Sequence, residues 1–260
     1  MTVPKVHVAA PLVAPYRFGA FSVVQFPAEV DTKSEAGLRW TSSACGTTVG
    51  VTSNPCVTDS DAAALTADTE FCQELTAEPF TVYTYAEDTL RRSDPDEVAR
   101  RFSGAEQFGV EAQVFAALDA AVPAPVDVST LGSGAEGVRL ALAYVEQRLA
   151  ELTKGDGIIW CDRFAGSVLG DHLRRDGGVA RTQLGTPVVA APGFSDYATD
   201  GVPTSVTFYA TGPTVAYRSE VETLPALIPA TNERATLVQR TYVIGWDCGA
   251  VGATVNLAAA

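Results

Sequence analysis

Residues 93–119 read SDPDEVARRFSGAEQFGVEAQVFAALD, from Ser93 to Asp119. Asp94 offers a side-chain oxygen to free backbone N–H groups, and Pro95 sits where a missing N–H costs nothing. Asp96 and Glu97 place negative charge at the positive end of the helix dipole. Val98, Phe102, Ala105, Gly109, Ala112 and Phe115 then recur at steps of three and four, while Arg100, Arg101, Glu106, Glu111 and Gln113 fall mostly off that stripe. The spacing predicts one long helix with a single apolar stripe. Val122-Pro123-Ala124-Pro125 ends it, because neither proline continues the hydrogen-bond ladder. Strands and loops are expected before it and alternating helix and strand after it.

Toward the C-terminus, Ser133-Gly134-Ala135-Glu136 has the form of a capping box. Val138, Leu142, Val145, Leu149 and Leu152 draw a second helical stripe, and Gly155 is placed to stop it. Gly157 to Cys161 is a short buried strand, and Asp162 caps a helix through Leu173. Gly177-Gly178 turns the chain into strands at Val179–Thr182 and Thr186–Ala190. Val206–Ala210 and Val215–Arg218 are expected to form a hairpin through Thr211-Gly212-Pro213-Thr214. Leu237–Trp246 and Ala250–Leu257 complete the strands.

Toward the N-terminus, residues 1–19 form an extended arm, and Phe21–Val30 looks like a strand. Residues 31–75 carry turns and short apolar pieces such as Leu38-Arg39-Trp40 with no helix signal. That is far beyond ordinary loop length, which predicts a two-stranded excursion serving something outside its own core. Phe80–Tyr85 is rich in β-formers and returns the chain to the long helix.

The composition is that of a folded chain, 47% hydrophobic and 19% charged over 260 residues. A formal charge of -13, with lysine only at 5, 33 and 154, argues against an electrostatic grip on nucleic acid or anionic lipid. No run approaches the roughly 20 apolar residues of a membrane span, and no signal-peptide core is evident, so a protein folded in the cytosol is expected. The cysteines at 45, 56, 72, 161 and 248 form no C-x-x-C pair, so no zinc site is expected. Cys45 and Cys56 bracket a loop that a small disulfide would close in an oxidising medium, and small buried or loop thiols are the plainer reading.

Gly132-Ser133-Gly134-Ala135-Glu136-Gly137 is a literal G-x-G-x-x-G before a helix, followed by a strand and Asp162. In a dinucleotide site such glycines let the backbone approach a pyrophosphate, and a later acid takes a ribose hydroxyl. The context argues otherwise. The first strand is short and lies behind two prolines, Asp162 comes too late, and Glu136 would set a carboxylate beside the phosphates. Cys161 or Ser167 with His172 would need a base within hydrogen-bond reach, yet Cys161 precedes the helix whose far end carries His172, beside Asp171. Asp59, Asp61, Asp94, Asp96 and Glu97 are explained by solvation and capping, and Trp40, Trp160 and Trp246 by packing. The residues favour a non-enzyme with no catalytic, cofactor or metal site, whose extensions find burial on identical copies.

Several segments carry a resemblance: Leu38-Arg39-Trp40 with Cys45 and Asn54-Pro55-Cys56; Glu78 to Tyr83; Gly104-Ala105-Glu106 with Val110-Glu111; Asp176-Gly177-Gly178 to Val189; and Gln239 to Cys248. In these the chain resembles HK97-fold major capsid proteins of tailed bacteriophages, especially those of actinobacteria. The resemblance implies an α+β, HK97-like capsid fold. Residues 1–30 would be the N-terminal arm and first strand, 31–75 the extended loop, and 76–125 a peripheral domain with its spine helix. Residues 126–235 would be the axial domain and 236–260 strands completing the sheets. It implies self-assembly into hexamers and pentamers of an icosahedral head, built in the host cytoplasm, that encloses double-stranded DNA without reading its sequence. Scaffolding, portal and decoration proteins would be the partners, with no membrane and no cofactor. An acidic lining suits DNA that must pack and leave.

Some members weld subunits by a Lys–Asn isopeptide bond promoted by a Glu. Here Lys33 and the pair Asn232-Glu233 have no matching spacing, so no crosslink is expected, and the chain's start near the arm implies no cleaved scaffolding segment. An encapsulin-like compartment, a nucleotide-dependent enzyme using Gly132–Gly137, and a minor decoration protein are the rival functions.

Overall fold

The computed structural model describes residues 15–27, 36–42, 74–88, 95–153, 155–192, 203–228 and 233–257. In chain order these form a helical turn α1 (Ala20–Val23), a hairpin β1 (Leu38–Thr41) and β2 (Glu74–Ala77), strand β3 (Pro79–Asp88) and the long helix α2 (Pro95–Ala121). Then come β4 (Val126–Asp127), helix α3 (Gly134–Thr153), β5 (Ile158–Asp162), helix α4 (Arg163–Leu169), β6 (Leu173–Asp176), β7 (Val179–Thr182) and β8 (Pro187–Ala191). The last strands are β9 (Ser205–Thr211), β10 (Thr214–Arg218), β11 (Glu222–Ile228), β12 (Glu233–Trp246) and β13 (Ala250–Asn256).

A seven-stranded sheet runs in the order β4-β13-β9-β5-β8-β7-β6, with the most buried apolar runs in its central strands β9, β5 and β8. β5 at its centre is buried at every position, as a strand covered on both faces must be. Alternate residues separate cleanly. Ile159, Cys161, Val188, Phe208 and Val255 face Val138, Leu142, Val145 and Leu149 of α3. Ile158, Trp160, Val189 and Tyr209 face the other way, toward Val110, Val114 and Leu118 of α2. Each such aliphatic side chain contributes about 1.5–3 kcal/mol by leaving water.

The second sheet is organised on β12. β3 pairs along one edge from Asp88↔Arg234 to Pro79↔Val243, and β10 and β11 share the opposite edge end to end. β1 and β2 pair separately, Leu38↔Ala77 to Thr41↔Glu74, at the base of the expected excursion. The first half of α2 lies on this four-stranded sheet, with Val98 and Phe102 against Val82, Ala86 and Val238. At Gly109 an added Cβ would sit 2.7 Å from Val82, so glycine sets how closely helix and strand approach.

Four expectations need correction. The buried residues of α2 are Val98, Phe102, Glu106, Gln107, Val110, Glu111, Val114 and Leu118, so the stripe drawn through Ala105 and Ala112 is displaced, and two glutamates placed off it are inside. Residues 21–27 do not form a strand: α1 is a helical turn, and its first N–H, on Ala20, is taken by Glu111 rather than by a local cap. β9 and β10 are not a hairpin, because β9 pairs with β13 and β5 while β10 pairs with β12 of the other sheet. The chain changes sheets at Gly212, where Asp247 donates its N–H to Pro213 O at 2.9 Å and a Cβ would collide with Asp247 O. Finally, the helix capped by Asp162 stops at Leu169 and gives way to a short 3-10 turn, Gly170–His172; Gly170 holds φ 48°, a conformation other residues resist.

Candidate assembly surface

Antiparallel pairing puts directly opposed residues on one side of a sheet, and here it builds a continuous outer face on the four-stranded layer. Tyr85, Leu237 and Leu224 form one row, Tyr83, Gln239 and Glu222 the next, and Thr81 with Thr241 the third. Tyr83 and Tyr85 are 63% and 60% exposed. Their alternates Val82, Thr84 and Ala86 turn toward α2, so two large aromatic rings stand in solvent because register puts them there. Gln239 Nε2 donates to Glu222 at 2.9 Å and the hydroxyls of Thr81 and Thr241 lie 3.0 Å apart, which ties the rows together. An aromatic, mostly uncharged row of this kind is the composition of an interface core.

The reverse side of the same strands is locked. Arg240 Nη1 donates to Glu106 Oε1 at 2.9 Å, and Tyr242 donates its hydroxyl to the same oxygen. Burial, then the Glu106 carboxylate beside it, pushes the Tyr242 hydroxyl far above the ordinary tyrosine range, so it remains a donor. A charge-assisted network of this kind fixes the strands rigidly behind the exposed rings.

A groove of about 470 Å³ lies between the hairpin, α2 and β12, lined by Trp40, Leu75, Phe80, Val114, Ile244 and Trp246. Trp40 seats its ring on Gly245, where any Cβ would collide with it. Glycine at 245 therefore sets how the hairpin base meets β12. At the rim of the seven-stranded sheet, Leu184 in the β7–β8 turn and Leu131 before α3 are also exposed, 83% and 67%.

The residues singled out for chemistry do not converge. In the glycine-rich stretch, Gly134 adopts φ 59°, and a Cβ on Gly137 would meet Gly132 O and Val255 at 2.5 Å. These glycines answer to a turn and to close helix–strand packing. Glu136 pairs with Arg139 on its own helix. Asp162 is spent as the cap of α4, accepting from Ala165 N at 2.6 Å. Cys161 is a free, fully buried thiol whose pKa is raised by burial and by the neighbouring Asp162, which makes it a poor nucleophile. Ser167, Asp171 and His172 are exposed, with His172 Nε2 3.3 Å from Arg139 Nη1. Glu97 pairs with Arg101 one turn on in α2. Trp160 is core, donating to Thr211 Oγ1 at 3.0 Å, and Trp246 packs beside the second core cluster. Cys248 takes part in a disulfide. Lys33, Asn232, Cys45, Cys56, Asp59, Asp61 and Asp94 lie outside the described residues. The sequence points to the β3 strand but not to its outward tyrosines, whose side is set by where α2 packs.

No protein-family model matches the sequence, and no curated protein is similar to it in sequence. Solved structures are similar over nearly the whole chain. The capsid of Ralstonia phage GP4 aligns with a TM-score of 0.56 at 10% identity, covering 100% of this chain and 96% of that one. Mycobacterium phage Che8 aligns at 0.52 and 12% identity, covering 96% of each. The encapsulin complex of Synechococcus elongatus aligns at 0.53 and 9% identity, covering 100% of this chain and 94% of that one. With its spine-like α2, its two unequal sheets and the paired base of its excursion, the chain has the HK97-type fold common to phage capsid and encapsulin structures.

Proposed function

We propose that the chain is the major capsid protein of a tailed phage, assembling as hexamers and pentamers into an icosahedral head around double-stranded DNA. The observation that carries this reading is the end-to-end match with capsid structures, 96–100% of this chain and 96% of the two phage chains. The outer face bearing Tyr83, Tyr85 and Leu224 supplies contact area for neighbours, and a stable contact needs about 1,000 Å² or more. In this reading the arm, residues 1–19, and the segment that follows it end near residue 30, the extended loop near 75, the peripheral domain near 125 and the axial domain near 235. Scaffolding, portal and decoration proteins are its partners, and the virion is its place.

Negative-stain microscopy of the expressed chain tests the proposal: closed particles support it, and a stable monomer at high concentration overturns it. Deleting residues 31–75 is expected to leave a folded subunit that no longer closes shells. Denatured particles should run as one monomer band, since Lys33 and Asn232-Glu233 lack crosslinking spacing; a ladder would refute that. The encapsulin alignment favours a second reading, a shell around a protein cargo. Nuclease-protected DNA in the particles decides for the head, and a co-purifying enzyme decides for the compartment.

A further inference from the structure

Leu184 is the most exposed large apolar side chain among the described residues, at 83%. A single surface leucine is ordinary, but the turn that carries this one is not. Between β7 and β8 the chain reads Gln183-Leu184-Gly185-Thr186. Thr182 N–H donates to Thr186 O at 2.9 Å, and Gly185 N–H donates to Thr182 O at 3.1 Å, with Gly185 at φ 105°. Thr182 Oγ1 accepts the Thr186 N–H at 3.2 Å and donates to Glu146 Oε1 of α3, which also accepts from Thr186 Oγ1 at 2.9 Å. Arg181 Nη1 donates to Gly185 O at 2.9 Å, and Gln183 Nε2 donates to Asp171 O at 3.0 Å. Every residue around Leu184 is tied down, and its own side chain is left in water. Order of that kind costs conformational entropy, which a mere connection between two strands would not need. It suits a contact residue whose ordering is complete before the partner arrives.

An open pocket of about 320 Å³ lies among Val23, Asp156, Gly157, Ile158 and Pro213. It sits at the same end of the seven-stranded sheet as the turn. β5 and β8 run parallel with Ile159 beside Val188, so Ile158 starts β5 level with Pro187, directly after the turn; Thr211, two residues before Pro213, pairs with Ile158. Leu184 stands in solvent, so it does not enter this pocket in its own chain. Knob and pocket are different patches of one molecule, and identical copies joined through different patches run head to tail and close into rings. Charge points to the same partner. β6 and β7 carry Arg174, Arg175 and Arg181 against one acid, Asp176, in a chain of net charge -13. This corner is therefore drawn to the acidic surface of another copy, and the pocket itself bears Asp156.

We propose that Leu184 is a pre-set knob that enters the pocket beside Val23, Ile158 and Pro213 of the next copy, joining subunits around a ring. This contact rests on the reading of the chain as a shell subunit and gives that reading a specific point of attachment.

Sedimentation and thermal melting of the full-length chain test it. Leu184→Ser loses no core volume, so melting should stay within about 2 °C of the wild type. Self-association should weaken about tenfold or more, as expected when one leucine is returned to water. Glu146→Ala keeps the leucine but releases both threonine hydroxyls, and should weaken association severalfold by loosening the turn. A photoreactive benzophenone amino acid at position 184, irradiated in a mixture of isotope-labelled and unlabelled copies, locates the receiving surface by mass spectrometry. Attachment between copies at residues 23–25, 156–158 or 213–214 supports the proposal. Attachment within one chain, attachment elsewhere on the neighbour, or unchanged association in either variant overturns the knob and leaves the shell reading standing. A wild type that stays monomeric at high concentration overturns both.

Discussion

α2 and α3 flank the same seven-stranded sheet from opposite sides, yet they are built differently. The buried positions of α3 are apolar apart from Thr153, which returns its hydroxyl to Leu149 O at 3.0 Å. α2 buries Glu106, Gln107 and Glu111 among its valines and leucines. α3 meets one layer, so apolar area is enough to hold it. α2 meets two sheets and the N-terminal segment, and apolar contact alone is non-directional. Hydrogen bonds from Arg240, Tyr242, Tyr16 and Ala20 fix its rotation and height against each neighbour.

The comparison is broken most severely by removing a charge partner. Arg240→Ala leaves the Glu106 carboxylate buried with Tyr242 as its remaining donor from β12, and the expected loss is about 4 kcal/mol. Melting should fall by roughly 10 °C in calorimetry. A loss below about 1 kcal/mol would mean that Glu106 is solvated in practice. The matching test on α3 is Leu149→Ala, which opens a cavity beside Gly157 and should lose about 3 kcal/mol. The two substitutions sit in separate clusters, so the double variant should be nearly additive.

The difference between the helices also explains what the sequence disclosed. Val138, Leu142, Val145 and Leu149 were readable because a helix facing one apolar layer repeats at 3.6 residues. The α2 stripe misled because the partners that allow Glu106 and Glu111 to be buried lie 134 and 95 residues away along the chain, at Arg240 and Tyr16. α1 misled for the same reason: Gly19 offers no capping side chain, and the acceptor for Ala20 N–H is Glu111. Thr211-Gly212-Pro213-Thr214 has good hairpin chemistry, but turn residues do not state which sheet the next strand joins. Of the outer face, Phe80–Tyr85 was legible as a strand. The exposure of Tyr83 and Tyr85 depended on where α2 would pack.

A gentler variant sharpens the comparison. Glu106→Leu with Arg240→Leu and Tyr242→Phe removes every member of that network at once and leaves no charge buried between α2 and β12. Net stability should change by no more than about 1 kcal/mol in either direction, because a buried ion pair and a well-packed apolar replacement are often equivalent. If α2 then behaves as α3 does, amide exchange along Phe102–Val110 should match that of Leu142–Leu149. Faster exchange at unchanged stability would mean that the polar groups hold α2 in one position rather than merely in place.

The smallest effect on the subunit is expected on the other side of the same sheet. Tyr85 stands 60% exposed opposite Leu237, pointing away from the layer that α2 covers. Tyr85→Ser loses one cross-strand contact and no core volume, so unfolding should change by about 0.5 kcal/mol. Particle yield should nevertheless drop, because in the proposed shell the ring would belong to the face offered to neighbouring copies. Sedimentation of the expressed variant separates the two roles. A folded subunit that sediments small places Tyr85 in assembly, whereas a subunit destabilised as much as by Leu149→Ala would make the outer face part of the core and remove the distinction between the two sides of β3.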